Sequence, residues 1–211
     1  NLRVVDKENG GKADSLNAGI NISLYPLFCC IDADSILQRD SLRLAVQPFL
    51  DDPRTIACGG TVRIANGCEV TNGFLTKVGL PTNLIALFQI VEYMRAFLFG
   101  RLGWSPLNAM LIISGAFGLF HKDTVIAVGG YRHDTIGEDM ELVVRLHRHM
   151  RLAGKPYRIT FAPDPICWTE APEDLTTLKN QRIRWQRGLC ESLTKNLDLL
   201  FHPQGGTVGW L

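Results

Sequence analysis

A chain of 211 residues, 46% apolar and 20% charged, is long enough for one globular domain that buries roughly 70% of its unfolded surface, which excludes a disordered tail and a coiled coil. Its 22 basic and 21 acidic residues leave a formal charge of +1, so no global field attracts nucleic acid and any anion must be bound by a local arrangement. Six cysteines, at positions 29, 30, 58, 68, 167 and 190, contain no C-x-x-C pair. They fit neither a zinc site nor a disulfide framework and point to reduced thiols in a cytoplasmic compartment.

Residues 2–6 read as a strand, from which the chain passes through Lys7-Glu8-Asn9-Gly10-Gly11 into a helix predicted over 12–23. The loop offers two flexible glycines, backbone amides and two lysines at a helix start, which suits either an anion cradle or a plain turn. It is not a Walker A loop, because G-x-x-x-x-G-K-[ST] fails in spacing and in its last residue. Leu27-Phe28-Cys29-Cys30-Ile31 is a continuous apolar run of the kind buried on both faces of a sheet. It predicts a strand over 27–32 that ends in Asp32-Ala33-Asp34-Ser35. Ligands of open α/β sheets bind outside the carboxyl ends of strands, where Asp32 and Asp34 are hard oxygen ligands suited to Mg²⁺ or Mn²⁺ and, through the ion, to a diphosphate. The alternative is an Asp turn before the next helix, predicted over 39–49, although Asp40 is better placed to cap it.

A strand over 55–64 precedes a helix over 82–99. Its segment from Leu84 to Phe99 is apolar almost all round, interrupted by Glu92 and Arg95, so it is either deeply buried or lies against something apolar. The longest charge-free stretch, Leu102 to Phe120, contains Pro106, Asn108, Ser114 and three glycines, which argues against a membrane span; its end reads as a strand over 117–121. Gly137-Glu138-Asp139 opens a helix over 137–152, where acids are favoured by the helix dipole with or without chemistry. Met140, Val143, Val144 and His147 give that helix one face, with Glu141 and Arg145 an i,i+4 pair on the other side. After a strand over 157–162, a last helix over 174–199 carries Lys179, Arg182, Arg184 and Arg187 and no acid between Leu175 and Cys190. Gln181, Arg184, Trp185 and Gly188 share a face that suits a diphosphate and a sugar ring. A basic helix on an anionic membrane surface is the other reading. The alternation of apolar runs and helical patterns predicts an α/β sheet with helices on its faces.

Four signals therefore stand in one order: Lys12-Ala13-Asp14-Ser15-Leu16-Asn17, Asp32-Ala33-Asp34, Gly137-Glu138-Asp139, and Gln181-Arg182-Ile183-Arg184-Trp185. This set resembles the membrane-bound glycosyltransferases of family 2, which include cellulose, chitin, hyaluronan and poly-N-acetylglucosamine synthases, over nearly the whole chain. The resemblance implies a GT-A-type, Rossmann-like mixed sheet flanked by helices, whose N-terminal strands and uracil-contacting aspartate motif are expected outside these residues. It implies a catalytic domain over 1–200 and the start of a membrane-proximal segment over 201–211. The implied reaction is inverting transfer from a UDP-sugar to a growing polysaccharide or, in a one-step enzyme, to a glycolipid acceptor. Its implied setting is the cytoplasmic face of a membrane, reached through segments outside this chain, with Mg²⁺ or Mn²⁺ and without nucleic acid. Carried over by position, the resemblance implies Asp139 as base, Lys12, Asp32, Asp34, Gln181 and Arg184 around the nucleotide sugar, and Asp32 and Asp34 on the metal. Glu138, Trp185, Ser114 and Gly115 fall to the acceptor side. A haloacid-dehalogenase-type phosphatase also places D-x-D after an apolar strand. It needs a downstream G-D-x-x-x-D that Gly137 to Glu141 does not supply, and it leaves Gln181 to Trp185 without a role.

Overall fold

In chain order the elements are α1 (Gly11–Ile22), β1 (Leu27–Ile31), β2 (Ile36–Leu37), α2 (Ser41–Asp51), β3 (Thr55–Ile64), β4 (Glu69–Thr71), β5 (Phe74–Lys77) and α3 (Leu84–Tyr93). A π-helical turn over Met94–Phe99 leads into α4 (Gly100–Trp104), followed by β6 (Phe117–His121), α5 (Lys122–Ala127), α6 (Glu138–Leu152), β7 (Arg158–Thr169) and α7 (Leu175–Thr194). They come from a computed structural model that describes residues 2–199, 201–202 and 205–210.

Five strands form one mixed sheet in the order β1-β6-β3-β7-β2, in which only the β3–β7 pair is parallel. Strand β3 lies at its centre and is buried from Thr55 to Val62. Strand β1 lies at an edge, so only Cys30 of its apolar run is buried, where burial on both faces was expected. The main core packs Leu142, Val143 and Leu146 of α6 against Ile113, Phe120 and Ile159. Truncating any of these leucines to alanine is worth about 2–5 kcal/mol of stability. All six cysteines are free thiols.

Several expectations need correction. Residues 2–6 are exposed and join no ladder; a strand pattern forms a strand only where a neighbouring edge accepts its hydrogen bonds. Strand β7 continues to Thr169 rather than stopping at 162, because Pro163 and Pro165 interrupt the alternation without ending the strand. The register slips between Gly59 and Thr61, and Thr61 Oγ1 donates to the Pro163 carbonyl at 2.7 Å. Gly60 makes this approach feasible, since a Cβ there would lie 2.9 Å from the Pro165 carbonyl oxygen. The hairpin β4–β5 was not expected, although its turn carries Asn72-Gly73, both with positive φ (52° and 77°), the usual chemistry of a two-residue hairpin turn. Asp40 occupies the N-cap position of α2 but makes no capping bond. Asn83 does cap α3, accepting from the Ile85 and Ala86 amides.

Glu141 and Arg145 do not form a solvent-facing pair. Glu141 is fully buried, and Arg145 holds it at 2.8 Å while donating to the Val128 and Gly130 carbonyls of the loop that covers this side of α6. The segment from Leu84 to Phe99 is neither wholly buried nor covered: Ala86, Gln89 and Tyr93 face inward, while Leu84, Phe88, Val91 and Phe99 are exposed. The last helix ends at Thr194, and Leu199 and Val208 pack against Met140 and Val144 of α6. No helix among the described residues is long and apolar enough to cross a membrane.

Candidate active site

Strand register builds the site. β1 and β6 are antiparallel with Ile31 opposite Phe117, so residues just after β1 and just before β6 emerge at one edge of the sheet. Asp32, Asp34, Ser114 and Gly115 therefore share that edge. The starts of α1 and α6 open onto it as well. Lys12 Nζ lies 2.5 Å from Asp32 Oδ1 and 3.4 Å from Glu138 Oε1, and Asp139 Oδ2 accepts the Gly115 amide at 3.0 Å. Lys12, Asp32, Gly115, Glu138 and Asp139 are thus one cluster drawn from four separate segments. Gly115 keeps it open, because a Cβ at this position would stand 2.8 Å from Lys12 Nζ and 3.5 Å from Asp139 Oδ2.

The charges of this cluster are coupled. Burial works to lower the Lys12 pKa, but the hydrogen bond and charge of Asp32, with Glu138 and Asp139, outweigh it and hold the ammonium above its ordinary range. Burial, and after it the adjacent charge of Asp139, holds the Glu138 carboxyl above the usual carboxylate range. The second lysine of the early loop, Lys7, pairs with Asp14, so this loop offers no pair of free lysines as an anion cradle. Asp34 is exposed and makes no ion pair among the described residues. Among the described residues no three His, Cys, Asp or Glu side chains gather as a metal cage. The D-x-D pair by itself offers a divalent cation two carboxylates, one of them already facing Lys12. That fits an ion whose remaining ligands come from outside the protein rather than one held in an all-protein site.

A second group of side chains flanks this edge and is built from α3, the π turn and α7. The Trp185 ring lies 6.0 Å from Phe97 and 6.5 Å from Tyr93, with the Arg182 guanidinium 4.2 Å above it. Arg182 also pairs with Glu92 of α3. Arg101 is 4% exposed, stacks 4.6 Å over Phe97 and has two buried Nη atoms without a hydrogen-bond partner. Ala116 packs into the same cluster, which joins the aromatic group to the Ser114-Gly115 segment. Of the residues expected on this helix, Trp185 faces the cluster, Gln181 is half-buried with an unpartnered Oε1, and Arg184 is exposed without an ion pair.

Sequence reasoning noticed Glu92 and Arg182 only as an interruption and a charge, and it passed over Tyr93, Phe97 and Arg101. The available signal was the single acid inside an apolar helix, which must find a cation or reach water. Which cation it finds depends on two helices meeting in space.

An α/β sheet carrying a D-x-D at a strand end, facing an acidic helix start, defines the GT-A class of glycosyltransferase fold. A mannosyltransferase from Pyrobaculum calidifontis in complex with GDP-mannose and Mn²⁺ superposes with a TM-score of 0.65 at 20% identity, over 97% of this chain and 49% of that one. GalNAc-T7 with UDP, GalNAc and Mn²⁺ superposes with a TM-score of 0.52 at 11% identity, over 80% and 32% of the two chains. The chain belongs to glycosyl transferase family group 2, whose sequence profile matches residues 27–210. Poly-β-1,6-N-acetyl-D-glucosamine synthase of Staphylococcus aureus strain COL is 35% identical over 192 residues, 90% of this chain and 41% of that protein. The synthase of the same name from Staphylococcus epidermidis strain ATCC 35984 is 30% identical over 222 residues, covering 100% and 49%. The chain spans less than half the length of these curated relatives.

Proposed function

We propose that this domain catalyses inverting transfer of a hexose or N-acetylhexosamine from a UDP-sugar to a growing β-linked polysaccharide, with N-acetylglucosamine the first donor to test because the relatives are named as synthases of its polymer. The observation that carries the reading is the convergence of Asp32 and Glu138 on Lys12, and of Lys12 and Asp139 on Gly115, at the sheet edge. The acceptor hydroxyl attacks the anomeric carbon, its proton passes to Asp139, and the bond from that carbon to the diphosphate oxygen breaks on the opposite face to release UDP. Asp139 is held for this by the Gly115 amide, which fixes one carboxylate oxygen. A positioned base of this kind contributes roughly 10²- to 10⁴-fold.

Lys12 counters the charge growing on the leaving diphosphate, and Asp32 and Asp34 would hold a Mg²⁺ or Mn²⁺ ion. When bound, that ion neutralises the diphosphate. Arg184, exposed and unpaired, has a guanidinium free for phosphate oxygens, and Gln181 has an amide oxygen without a partner. Trp185 offers the acceptor sugar a flat face, with Ser114 and Glu138 as polar neighbours.

The exposed apolar side chains Leu84, Phe88, Val91, Phe99 and Trp104 lie on the helices beside α7, whose Lys179, Arg184 and Arg187 are also exposed. That combination supports a setting against the cytoplasmic face of an anionic membrane, with residues from 201 onward leading to membrane-proximal chain.

Incorporation of radiolabelled UDP-N-acetylglucosamine by the full-length protein in membranes tests the reading. Label in long, hexosaminidase-sensitive polymer is the expected result. A single sugar on a solvent-extractable lipid would move the assignment to a one-step glycolipid enzyme, and label released only as free phosphate esters would overturn it.

A further inference from the structure

The middle of α7 touches the start of α6 backbone to backbone. A Cβ on Gly188 would stand 2.8 Å from the Gly137 Cα, and a Cβ on Gly137 would stand 2.8 Å from the Gly188 Cα. Glycine inside a helix is less favourable than alanine, so Gly188 sits at its position against local preference. Three side chains, Glu191, Ser192 and Lys195, surround the crossing. Glu191 Oε2 accepts from the Ile136 amide at 2.9 Å and from Thr135 Oγ1 at 3.0 Å, while its Oε1 accepts from Arg187 Nε at 2.7 Å. Buried Ser192 donates to the Gly188 carbonyl at 2.7 Å and lies 3.4 Å from the Gly137 carbonyl oxygen. Lys195 holds both the backbone carbonyl and the carboxylate of Asp134.

The location of this contact matters. Gly137 is two residues before Asp139, and Gly188 is three residues after Trp185. Gln181, Trp185, Gly188 and Ser192 fall at i, i+4, i+7 and i+11, so the face of α7 that presents the indole is the face that meets α6. A second link runs from Asp139 through the Gly115 amide to Ala116 in the aromatic cluster.

We propose that Gly137, Gly188 and Glu191 are positioning residues, a clasp that sets the distance between the Asp139 carboxylate and the Trp185 ring so that an acceptor resting on one presents its hydroxyl to the other. The proposal rests on the roles given above to Asp139 and Trp185. A methyl group at either glycine forces the two backbones apart, and a displacement of about 1 Å at a reacting geometry is enough to cost roughly 100-fold in rate. The Glu191 carboxyl is held down to about 2, chiefly by the Ile136 amide and the Arg187 guanidinium. The clasp therefore stays charged throughout the neutral range.

The test compares Gly188→Ala and Glu191→Gln with wild type in the full-length membrane enzyme. It measures sugar transfer, slow hydrolysis of the same UDP-sugar by water, and amide hydrogen exchange over 134–142. We expect kcat for transfer to fall about 100-fold in Gly188→Ala and about tenfold in Glu191→Gln. The UDP-sugar KM should hold within twofold, hydrolysis should fall far less than transfer, and amides 136–140 should exchange faster. Equal loss of transfer and hydrolysis, or unchanged transfer in both variants, overturns the clasp. So does unchanged exchange at 136–140, a readout that applies even to a protein inactive on every UDP-sugar. Such inactivity in wild type would instead count against the donor reading. Glu191→Gln keeps size and one acceptor atom, so it separates positioning from folding if the alanine variant is unstable.

Discussion

The two halves of the candidate site are built on different principles. On the proposed donor side, carboxylates and a lysine from three segments gather with Gly115 of a fourth at strand ends, where the Ile31↔Phe117 register brings the Asp32 and Gly115 segments together. On the acceptor side, Tyr93, Phe97 and Trp185 stack between helices, and the guanidinium groups of Arg101 and Arg182 lie on rings. A sheet register cannot shift by less than a residue without turning side chains to the other face, whereas helices slide and tilt by small amounts. The contrast teaches that the charged cluster is fixed by topology and the aromatic group by packing; under the proposed roles, the acceptor side is then the half that can diverge among related chains.

The strongest way to break the comparison is at the residue both halves share. Asp139→Asn keeps the shape and an oxygen for the Gly115 amide but loses the base, so transfer should fall by about 10²- to 10⁴-fold with UDP binding retained. Calorimetric titration of UDP beside transfer kinetics checks both parts, and turnover at the wild-type rate would remove Asp139 from its role.

Trp185→Leu comes next and should act on the acceptor alone. It removes the flat face and the ring beneath Arg182 but leaves the donor edge untouched, so acceptor KM should rise at least tenfold while UDP affinity stays within twofold. A parallel loss of UDP affinity would show that the halves are not separable. Asp34→Ala is the mirror experiment. It should weaken UDP binding about tenfold with Mn²⁺ or Mg²⁺ present and barely alter it without metal. Equal loss in both conditions would make the aspartate structural.

The smallest effect concerns the anchor beneath both halves. His147 in α6 is fully buried; its Nε2 donates to the Met110 carbonyl at 2.8 Å, and its Nδ1 accepts from the Tyr157 hydroxyl at 2.6 Å. Burial lowers its pKa from 6.5 to about 4. The unfolded chain therefore takes up the proton first as pH falls. Stability is complete above about pH 6.5 and is lost toward pH 4, with a slope reaching about 1.4 kcal/mol per pH unit. The lowered carboxylates Asp52, Asp134, Asp174 and Glu191 act only below their unfolded values near 4, and the raised Glu138 carboxyl acts with the opposite sign, losing stability as pH rises, so a gain of stability with pH between 5 and 6.5 belongs to His147. Urea titrations between pH 5 and 7 should show this slope in wild type and a flatter one in His147→Gln.

That Lys12, Asp32, Glu138 and Asp139 come together was legible in the sequence because each sits at the end of a periodic segment. Asp32 and Asp34 close an apolar run, Glu138 and Asp139 open an amphipathic helix, and a residue at an element boundary is read together with that element. The mixed sheet with helices was legible for the same reason. What was not legible depended on partners. The 2–6 segment had the pattern of a strand but pairs with no strand among the described residues, and the second half of β7 was hidden by two prolines that bulge it without ending it. Glu141 looked like a surface residue on spacing alone, because the loop that buries it arrives from residues 128–130. Arg101 and Phe97 were invisible for a subtler cause, the π turn between α3 and α4.

That turn changes the phase of everything after it. A segment with five-residue hydrogen-bond spacing absorbs one residue more than an α-helix of the same rise, so α3 and α4 are out of step by about 100°, the angle of a single residue at 3.6 per turn. Deleting one residue within Met94–Phe99 would return the stretch to a plain α-helix and swing Arg101 off the Phe97 ring, while Leu84 to Tyr93 stayed where they are. The length of this short turn therefore acts as a dial on the aromatic wall that carries Trp185. A chain one residue shorter here would present a different side chain beside Trp185 even if every other position were unchanged.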